Sequence, residues 1–243
     1  MSNVIFGRNP VIEALKSGRE IEKVVMTSSD GSAAKILAMA KERGIPVVRG
    51  EKRYLDKLAD GGAHQGVCAF VASYGYKEID DALKKAELAG EEPFLIILDN
   101  IEDPHNLGAI MRTAECAGAH GIIIPKRNAC GLTETVAKTS AGAIEYIPCI
   151  RVSNIVRTIE DLKKRGFWIG ACDMGGQEDY KADLKGRLAV VIGSEGAGIG
   201  RLVKESCDFT VSMPMCGRIN SLNASNAAAV LMYEVRRQRD EYR

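Results

Sequence analysis

Apolar and polar positions alternate in short blocks over the first part of the chain. Pro10 suits the first turn of a helix, and the branched run Ile21–Met26 is typical of a strand. Helical spacing of apolar residues indicates helices over 9–15, 32–43 and around 54–58. Branched and small apolar residues indicate further strands over 44–48 and 64–73. The alternation predicts a small α/β domain over residues 1–75.

The pattern changes at residue 94. Phe94–Leu98 is a continuous apolar run, which is typical of a strand buried on both faces of a parallel sheet. Similar runs follow at 121–124, 167–170 and 188–192, with helical patterns between them, and this alternation favours a βαβ sheet with right-handed crossovers. Residues 76–93 are rich in charge and are predicted to form a helical linker. The second predicted domain is therefore 94–243, an α/β unit with a mostly parallel sheet.

Length and composition exclude several classes of protein. The 243 residues suit one large or two modest domains, and 46% hydrophobic with 27% charged residues is ordinary for a globular chain. Disordered and collagenous classes are therefore excluded. No apolar run reaches the roughly 18–20 residues needed to cross a bilayer, and no secretory signal is readable at the amino terminus. We therefore expect a cytoplasmic protein without a membrane partner.

Charge and cysteine usage narrow the possible partners. Lys and Arg number 33 and Asp and Glu 32, so the formal net charge of +1 does not by itself support a nucleic-acid partner. Seven scattered cysteines include no pair separated by two residues, and the three histidines lie far apart. Zinc and thioredoxin-like sites need close pairs, so we expect no metal site.

Polar residues follow the apolar run Phe94–Leu98, where ligands bind in open parallel sheets. Pro104 suits a helix start and would place Asn106 in the first turn. Asn106 is a neutral donor and acceptor, whereas Arg112 is a forked cation suited to phosphate or carboxylate. A capped loop with a surface arginine explains the same residues equally well, so both interpretations stay open here.

A glycine-rich segment, 193–200, follows the apolar run 188–192. Its four glycines allow a ligand close to the backbone. The dinucleotide fingerprint starting at Gly196 would need glycine where Arg201 stands, and no Gly-Lys-Ser/Thr follows for a phosphate loop. Glu195 opposes phosphate binding and suits a cationic or hydroxyl-bearing ligand.

Small polar residues precede the long carboxy-terminal helix predicted over 227–239. Ser221, Asn223, Ser225 and Asn226 are more than one helix cap requires. The helix itself has little bulk on one face. That face could pack on a second subunit or on its own sheet.

These three segments, in this order, resemble the three motifs of the SpoU (TrmH-like) branch of the SPOUT RNA methyltransferases. The matching stretches are 103–114, 188–198 and 211–225. Residues 6–15 and 64–66 also resemble the small substrate-binding domain of that family, so the resemblance covers nearly the whole chain. It is closest to the enzymes that methylate a guanosine ribose in bacterial 23S rRNA.

The resemblance implies a deep trefoil knot in the sheet, although chains ordinarily do not thread loops. It also implies a homodimer and S-adenosyl-L-methionine as cofactor. The catalytic residues that it implies are Asn106, Arg112, Glu195, Ser221 and Asn223. The cofactor residues are Ala171, Gly193, Met213 and Leu222, and the RNA-binding residues are Arg8, His64 and Arg112.

The implied function is methyl transfer from S-adenosyl-L-methionine to a ribose 2′-hydroxyl, with a guanosine of 23S rRNA as the expected target. The alternatives are the same chemistry on tRNA and a non-catalytic RNA-binding or assembly protein. A guanidinium is a poor base, so we expect Arg112 to anchor a phosphate, while Glu195 accepts a hydrogen bond from the hydroxyl or orients Arg112. Residues 218–220, Arg-Ile-Asn, are bulkier than the small residues expected there and would alter the rim of the cofactor pocket.

Overall fold

The computed structural model describes residues 4–16, 19–28, 31–71 and 74–240, which fall into two units. The first unit comprises residues 1–75 and 131–134, and the second comprises 76–130 and 135–243. Residues 72 and 73, the end of the strand predicted over 64–73, lie outside the described residues. The segment 76–93, predicted as a linker, contains a regular helix and is grouped with the second unit.

A four-stranded sheet and three helices build the first unit. The strand order is β1-β4-β2-β3, in which only the β2–β3 pair is parallel. The core includes the fully buried side chains of Val11, Val24, Ile36 and Val67. The elements are β1 (Val4–Phe6), α1 (Arg8–Lys16), β2 (Ile21–Met26), α2 (Ser32–Glu42), β3 (Val47–Arg49), α3 (Lys52–Leu58) and β4 (Val67–Val71).

Two details of the first unit differ from the prediction. Strand β4 begins at Val67 rather than at residue 64, because Gln65 and Gly66 adopt left-handed φ angles of 51° and 78° and form a turn. The short strand β1, which pairs with β4, was not predicted from the pattern. The strand has only three residues, of which Val4 and Ile5 are half-buried and Phe6 is exposed, so it is too short to show a period in the sequence.

A six-stranded sheet with helices builds the second unit. All five strand pairs in its described residues are parallel, and the order is β10-β8-β9-β5-β6-β7. The elements are α4 (Ile79–Ala89), β5 (Phe94–Leu98), α5 (Pro104–Cys116), β6 (Gly121–Pro125), α6 (Glu134–Thr139), β7 (Cys149–Val152), α7 (Ile155–Lys164), β8 (Trp168–Glu178), β9 (Leu188–Ile192), α8 (Arg201–Glu205), β10 (Phe209–Ser212) and α9 (Ala224–Asp240).

Helices cover both faces of this sheet, as the continuous apolar runs predict. Every residue of β5 and β9 is at most 2% exposed. Successive side chains of a strand point to opposite faces. Leu95 and Ile97 join a core cluster with α4 and α7, whereas the ring of Phe94 lies under Arg239 of α9 on the other face. The α/β architecture predicted from the sequence is confirmed.

The connectivity places a crevice between β5 and β9. These strands are neighbours and Leu98 pairs with Ile192, so the segments that follow them leave the same edge of the sheet. After β5 the chain runs through α5 to β6, towards one edge of the sheet. After β9 it runs through α8 to β10, at the opposite edge. Ligands of open α/β sheets bind at such a switch point. In the described parts of the chain, no helix is long and apolar enough to cross a membrane.

Candidate active site

The segment 193–200 after β9 folds into a tight loop with Glu195 exposed at its tip. Ser194 and Gly198 exchange two backbone hydrogen bonds of 3.2 and 3.0 Å, which close the loop. A Cβ on Gly193 would lie 2.3 Å from the carbonyl carbon of Gly198, so only glycine fits there. The glycines predicted to bring a ligand near the backbone thus also bring two stretches of the loop together.

Asn106 owes its position to the start of α5. The carboxylate of Asp103 accepts a hydrogen bond of 3.0 Å from the amide of His105 and caps the helix, and Pro104 occupies its first turn. Asn106 therefore lies in the first turn, half-buried, as the sequence predicts. From there its side chain extends towards the loop that carries Glu195.

Asn223 lies at the start of α9 and is itself the residue that caps this helix. Its Oδ1 accepts hydrogen bonds from the amide of Ser225 (2.9 Å) and from the Ser225 hydroxyl (2.6 Å), so Asn223 caps the helix. The helix consequently begins at Ala224 rather than at the predicted residue 227. The cap uses Oδ1 and leaves the Nδ2 group of Asn223 for another partner.

Asn106, Glu195 and Asn223 meet in one group, which we call the amide–carboxylate cluster. Nδ2 of Asn106 donates to Oε1 of Glu195 over 3.0 Å, and Nδ2 of Asn223 donates to Oδ1 of Asn106 over 3.1 Å. Nδ2 of Asn223 also donates to Oε1 of Glu195. Within the described chain Oε2 of Glu195 has no hydrogen-bond partner. The cluster thus presents one carboxylate oxygen to a substrate.

The other two predicted catalytic residues make no direct contact with this cluster. Arg112 follows Asn106 by six residues, which is about 9 Å along the helix axis. Its side chain is exposed and has no partner among the described residues. Ser221 is also exposed, two residues before Asn223, and it too has no partner in the described part of the chain. Both side chains are accessible to a substrate.

Three of the four predicted cofactor residues lie on or directly after the adjacent strands β8, β9 and β10. Ala171, fully buried on β8, pairs with Val191 of β9 and with Thr210 of β10. Gly193 and Met213 directly follow β9 and β10, whereas Leu222 is 39% exposed ahead of α9. These positions surround one stretch of the carboxyl edge of the sheet.

Strand β8 contains an irregularity that the sequence did not reveal. Thr210 of β10 pairs with Ala171, but the next residue, Val211, pairs with Gln177, so residues 172–176 have no partner in β10. Cys172 still pairs with Ile192 of β9. Burial, with a smaller effect of Asp173 and Asp179, raises the pKa of the Cys172 thiol to about 12. Burial thus disfavours the thiolate form that a cysteine nucleophile needs.

Asp99 is a residue of the site that the sequence reasoning missed. It directly follows β5, is 6% exposed, and its Oδ2 accepts a hydrogen bond of 2.7 Å from the amide of Gly200. The available signal was an acidic residue at the end of a fully buried strand. Among the described residues, no group of three His, Cys, Asp or Glu side chains could hold a metal ion.

Arg8 and His64, the predicted RNA-binding residues of the first unit, both contact the turn before β4. Arg8 donates from Nε to the carbonyl of Gln65 (3.1 Å) and from Nη1 to Ser32 Oγ (2.9 Å). His64 is 7% exposed; its Nε2 lies 2.8 Å from Asp56 Oδ1, and its Nδ1 accepts from the amide of Gly66 at 2.9 Å. Both ring nitrogens of His64 are thus engaged within the unit.

Comparisons with known families agree with this architecture. Residues 93–233 match the model of the SpoU rRNA Methylase family, and residues 4–77 match the model for RNA 2′-O ribose methyltransferase substrate binding. The chain therefore belongs to the SpoU rRNA methylase family. It is an RNA 2′-O-ribose methyltransferase with a substrate-binding domain, and the methyl donor of its family is S-adenosyl-L-methionine.

Individual relatives cover between two thirds of the chain and all of it. YacO of Bacillus subtilis strain 168, which is assigned to the TrmH family of tRNA/rRNA methyltransferases, is 53% identical over 97% of this chain and 96% of its own length. The SpoU methyltransferase AviRb of Streptomyces viridochromogenes matches with a TM-score of 0.64 and 25% identity over 100% of this chain and 91% of its own. The A. aeolicus TrmH/SpoU tRNA modifying enzyme, at 26% identity and a TM-score of 0.57, covers 67% of this chain and 85% of its own.

Proposed function

We propose that this protein transfers the methyl group of S-adenosyl-L-methionine to the ribose 2′-hydroxyl of a guanosine in 23S rRNA. The observation that carries the proposal is the amide–carboxylate cluster. It joins one residue from each of the three family motifs at the carboxyl edge of the sheet. The cluster leaves one oxygen of Glu195 open on the side where a hydroxyl group can bind.

The residues around the carboxyl edge fit the cofactor. At Gly193 a side chain would collide with the Gly198 backbone, and Ala171 is small and fully buried. Main-chain groups of Gly193, Met213 and Leu222 would hold S-adenosyl-L-methionine there. When bound, it supplies a methyl group on a positively charged sulfur. A crystal structure of AviRb contains AdoMet, and that protein shares the fold of this chain.

The task of the protein residues is to hold the 2′-hydroxyl in line and to accept its hydrogen bond. Oε1 of Glu195 is oriented by Asn106 and Asn223, so Oε2 can accept from the hydroxyl. Arg112, which has no partner in the described chain, binds the phosphate next to the target ribose. Accurate positioning contributes much of the rate of such a transfer.

Four unpaired cations support RNA binding by the first unit. Exposed basic side chains of β3 and α3 have no partner among the described residues; they are Arg49, Lys52, Arg53 and Lys57. Of these four, Lys52 lies in the wall of a cleft of about 360 Å³, together with Asp56, His64 and Gln65. Phosphate contacts from such side chains supply affinity without sequence selection. We propose residues 1–75 as the RNA-recruiting domain and 94–243 as the catalytic domain.

The choice of rRNA over tRNA rests on this first unit. The A. aeolicus tRNA modifying enzyme matches only 67% of the chain, whereas an rRNA methyltransferase of Sinorhizobium meliloti, 23% identical, matches 97% of it. The curated relatives carry names that include both tRNA and rRNA. The additional unit therefore favours rRNA, and tRNA is the second candidate. The trefoil knot, the homodimer and the cytoplasmic location stay predictions.

An assay with purified protein tests this function. Radiolabelled S-adenosyl-L-methionine is incubated with the protein and with 23S rRNA or bulk tRNA transcripts, and the labelled nucleotide is identified by mass spectrometry. We expect 2′-O-methylguanosine in the rRNA. Label only in tRNA would support the second candidate, and no label in any RNA, despite binding of the cofactor, would contradict both.

A further inference from the structure

Asp99 is a buried carboxylate whose partners carry no charge. It is 6% exposed, and its oxygens accept hydrogen bonds from the amide of Gly200 (2.7 Å) and from Nδ2 of Asn100 (3.1 Å). No cation pairs with it in the described part of the chain. Burying a carboxylate in this way costs free energy that neutral partners offset only in part. Stability alone therefore gives a weak reason for an acidic residue at this position.

Both ends of the loop 193–200 are attached to this one residue. The amide of Asp99 donates to the carbonyl of Ile192 over 2.9 Å and extends the β5–β9 ladder to the point where the loop begins. The carboxylate of Asp99 accepts from Gly200, where the loop ends. A Cβ on Gly200 would lie 3.2 Å from Asp99 Oδ2, so the two residues are already in close approach.

The same residue also leads into the helix that carries Asn106. Asp99 is followed after four residues by Pro104, the first residue of α5. The loop is stiffened between its ends by the paired backbone of Ser194 and Gly198. Asp99 therefore connects the loop that carries Glu195 to the segment that leads into the helix of Asn106. Its contacts determine how these two side chains lie relative to each other.

We propose that Asp99 is a positioning residue for methyl transfer. It holds the loop 193–200 so that the carboxylate of Glu195 reaches Asn106 and the 2′-hydroxyl, and it acts through Glu195 without touching the substrate. The role in the reaction rests on the proposed function, whereas the effect on the loop does not. Displacement of a reacting group by about 1 Å can cost on the order of 100-fold in rate.

The test combines hydrogen exchange with a double-mutant cycle. Asp99→Ala and the isosteric Asp99→Asn are each made in the natural protein and in the Glu195→Ala variant. We expect faster amide exchange in residues 193–200 for both substitutions, and more for alanine. In the natural background kcat falls about 10- to 100-fold for Asp99→Ala, with little change in KM for RNA. In the Glu195→Ala background the same substitution has almost no further effect on kcat.

Asp208→Asn is the control for loss of a carboxylate-to-backbone contact elsewhere in the unit; Asp208 differs from Asp99 in that it also pairs with Lys163 Nζ at 2.8 Å. Asp208 Oδ2 also accepts a hydrogen bond from a backbone amide of this unit, that of Ile169 at 2.8 Å, but the contact lies at the beginning of β8. We expect this variant to lose stability without faster exchange in residues 193–200.

Two results would overturn the positioning role. One is unchanged exchange in residues 193–200 for both Asp99 variants, and the other is an equal fall in kcat in both backgrounds. If Asp99→Ala does not fold, Asp99→Asn answers both questions. If the natural protein methylates no RNA, the proposed function fails, and the exchange data still decide whether Asp99 holds the loop.

Discussion

The side-chain amide of Asn106 donates a hydrogen bond of 3.0 Å to Oε1 of Glu195, a residue 89 positions further along the chain. The bond crosses the crevice between the segments that follow β5 and β9. Asn223 completes the group from the start of α9. The three motif segments, which are distant in sequence, thus converge on a single carboxylate.

The carboxylate charge at Glu195 is expected to be required for methyl transfer. Glu195→Gln keeps the shape of the side chain, and its amide oxygen can still accept from Asn106 and Asn223, but its NH2 group takes the place of Oε2 and presents a donor to the 2′-hydroxyl. We expect kcat to fall about 10- to 100-fold, because a hydrogen bond to a charged group contributes roughly 1.5–3 kcal/mol. Initial rates of label transfer to RNA measure this. Glu205→Gln, in the exposed pair with Arg201, is the control and should leave kcat unchanged.

Substitution of Arg112 is expected to weaken RNA binding more than the chemical step. Arg112→Lys keeps one positive charge but loses the forked donors, so we expect a severalfold rise in KM for RNA, and Arg112→Ala should raise it further. Loss of one phosphate contact should also reduce the slope of log affinity against log salt by about one. A main effect on the pH dependence of kcat, with unchanged KM, would instead indicate that Arg112 participates in proton transfer.

The buried His120 is expected to make folding stability depend on pH. Burial lowers its pKa from 6.5 to about 4, with Arg239 and Lys85 contributing and Glu91 opposing. The folded protein therefore takes up this proton less readily than the unfolded chain does. The stabilisation is complete above pH 6.5 and is lost as the pH falls towards 4, by up to about 3 kcal/mol.

Urea unfolding at several pH values tests this expectation. In the natural protein His120 Nδ1 accepts a hydrogen bond of 3.0 Å from the amide of Phe94. His120→Asn keeps an acceptor for this amide, but the asparagine side chain does not titrate. The variant should show a flatter stability profile between pH 6.5 and 4. The same substitution at the exposed His105 should leave the profile as it is. An equally steep profile in both variants would exclude His120 as the cause.

Arg239 is expected to stabilise the packing of the end of α9 against the sheet. Its guanidinium donates to the carbonyls of Glu92 and Gly186, each at 2.6 Å, and lies over the ring of Phe94. Arg239→Ala should lower the free energy of unfolding by about 1.5–3 kcal/mol, because two carbonyl oxygens lose a charged donor and the ring of Phe94 loses the guanidinium packed on it. Arg201→Ala removes only an exposed pair and should change it by less than about 1 kcal/mol. Equal losses in the two variants would contradict this role.

The exposed face of α9 is expected to form the homodimer implied by the family resemblance. Val230 is 46% exposed and Tyr233 54% exposed, and they are one turn apart on the same face. Val230→Asp and Tyr233→Asp together should convert the dimer to a monomer, measured by light scattering during gel filtration. A natural protein that is monomeric at micromolar concentration would contradict the dimer itself. A double variant that stays dimeric would place the interface elsewhere.

The strands at the centre of the catalytic unit were predictable because they are continuous apolar runs. Phe94–Leu98 and Leu188–Ile192 were predicted with their observed bounds, and the polar segments after them were expected at the same sheet edge. The excursion at 172–176 was not predictable, since it depends on how β10 pairs with β8. Asp99 was missed because its partner, the amide of Gly200, lies 101 positions away and leaves no pattern in the sequence.

Histidine burial was also beyond the sequence. The prediction that His64 contacts RNA stands, and its ring is in addition engaged with Asp56 and Gly66. Nothing in the neighbouring sequence indicates these two contacts. A histidine followed by glutamine and glycine is compatible with a binding loop and with a buried turn. The structure shows a turn in which His64 is buried and Gln65 is exposed, and Arg8 contacts the carbonyl of Gln65.

A map of ribose methylation in cells tests the central claim most directly. Total RNA from cells with the gene, without it, and with the gene encoding Glu195→Gln is examined by primer extension and mass spectrometry for 2′-O-methyl groups. The account predicts one methylated guanosine in 23S rRNA that is present only with the natural gene. An identical set of ribose methyl groups in all three strains would contradict it.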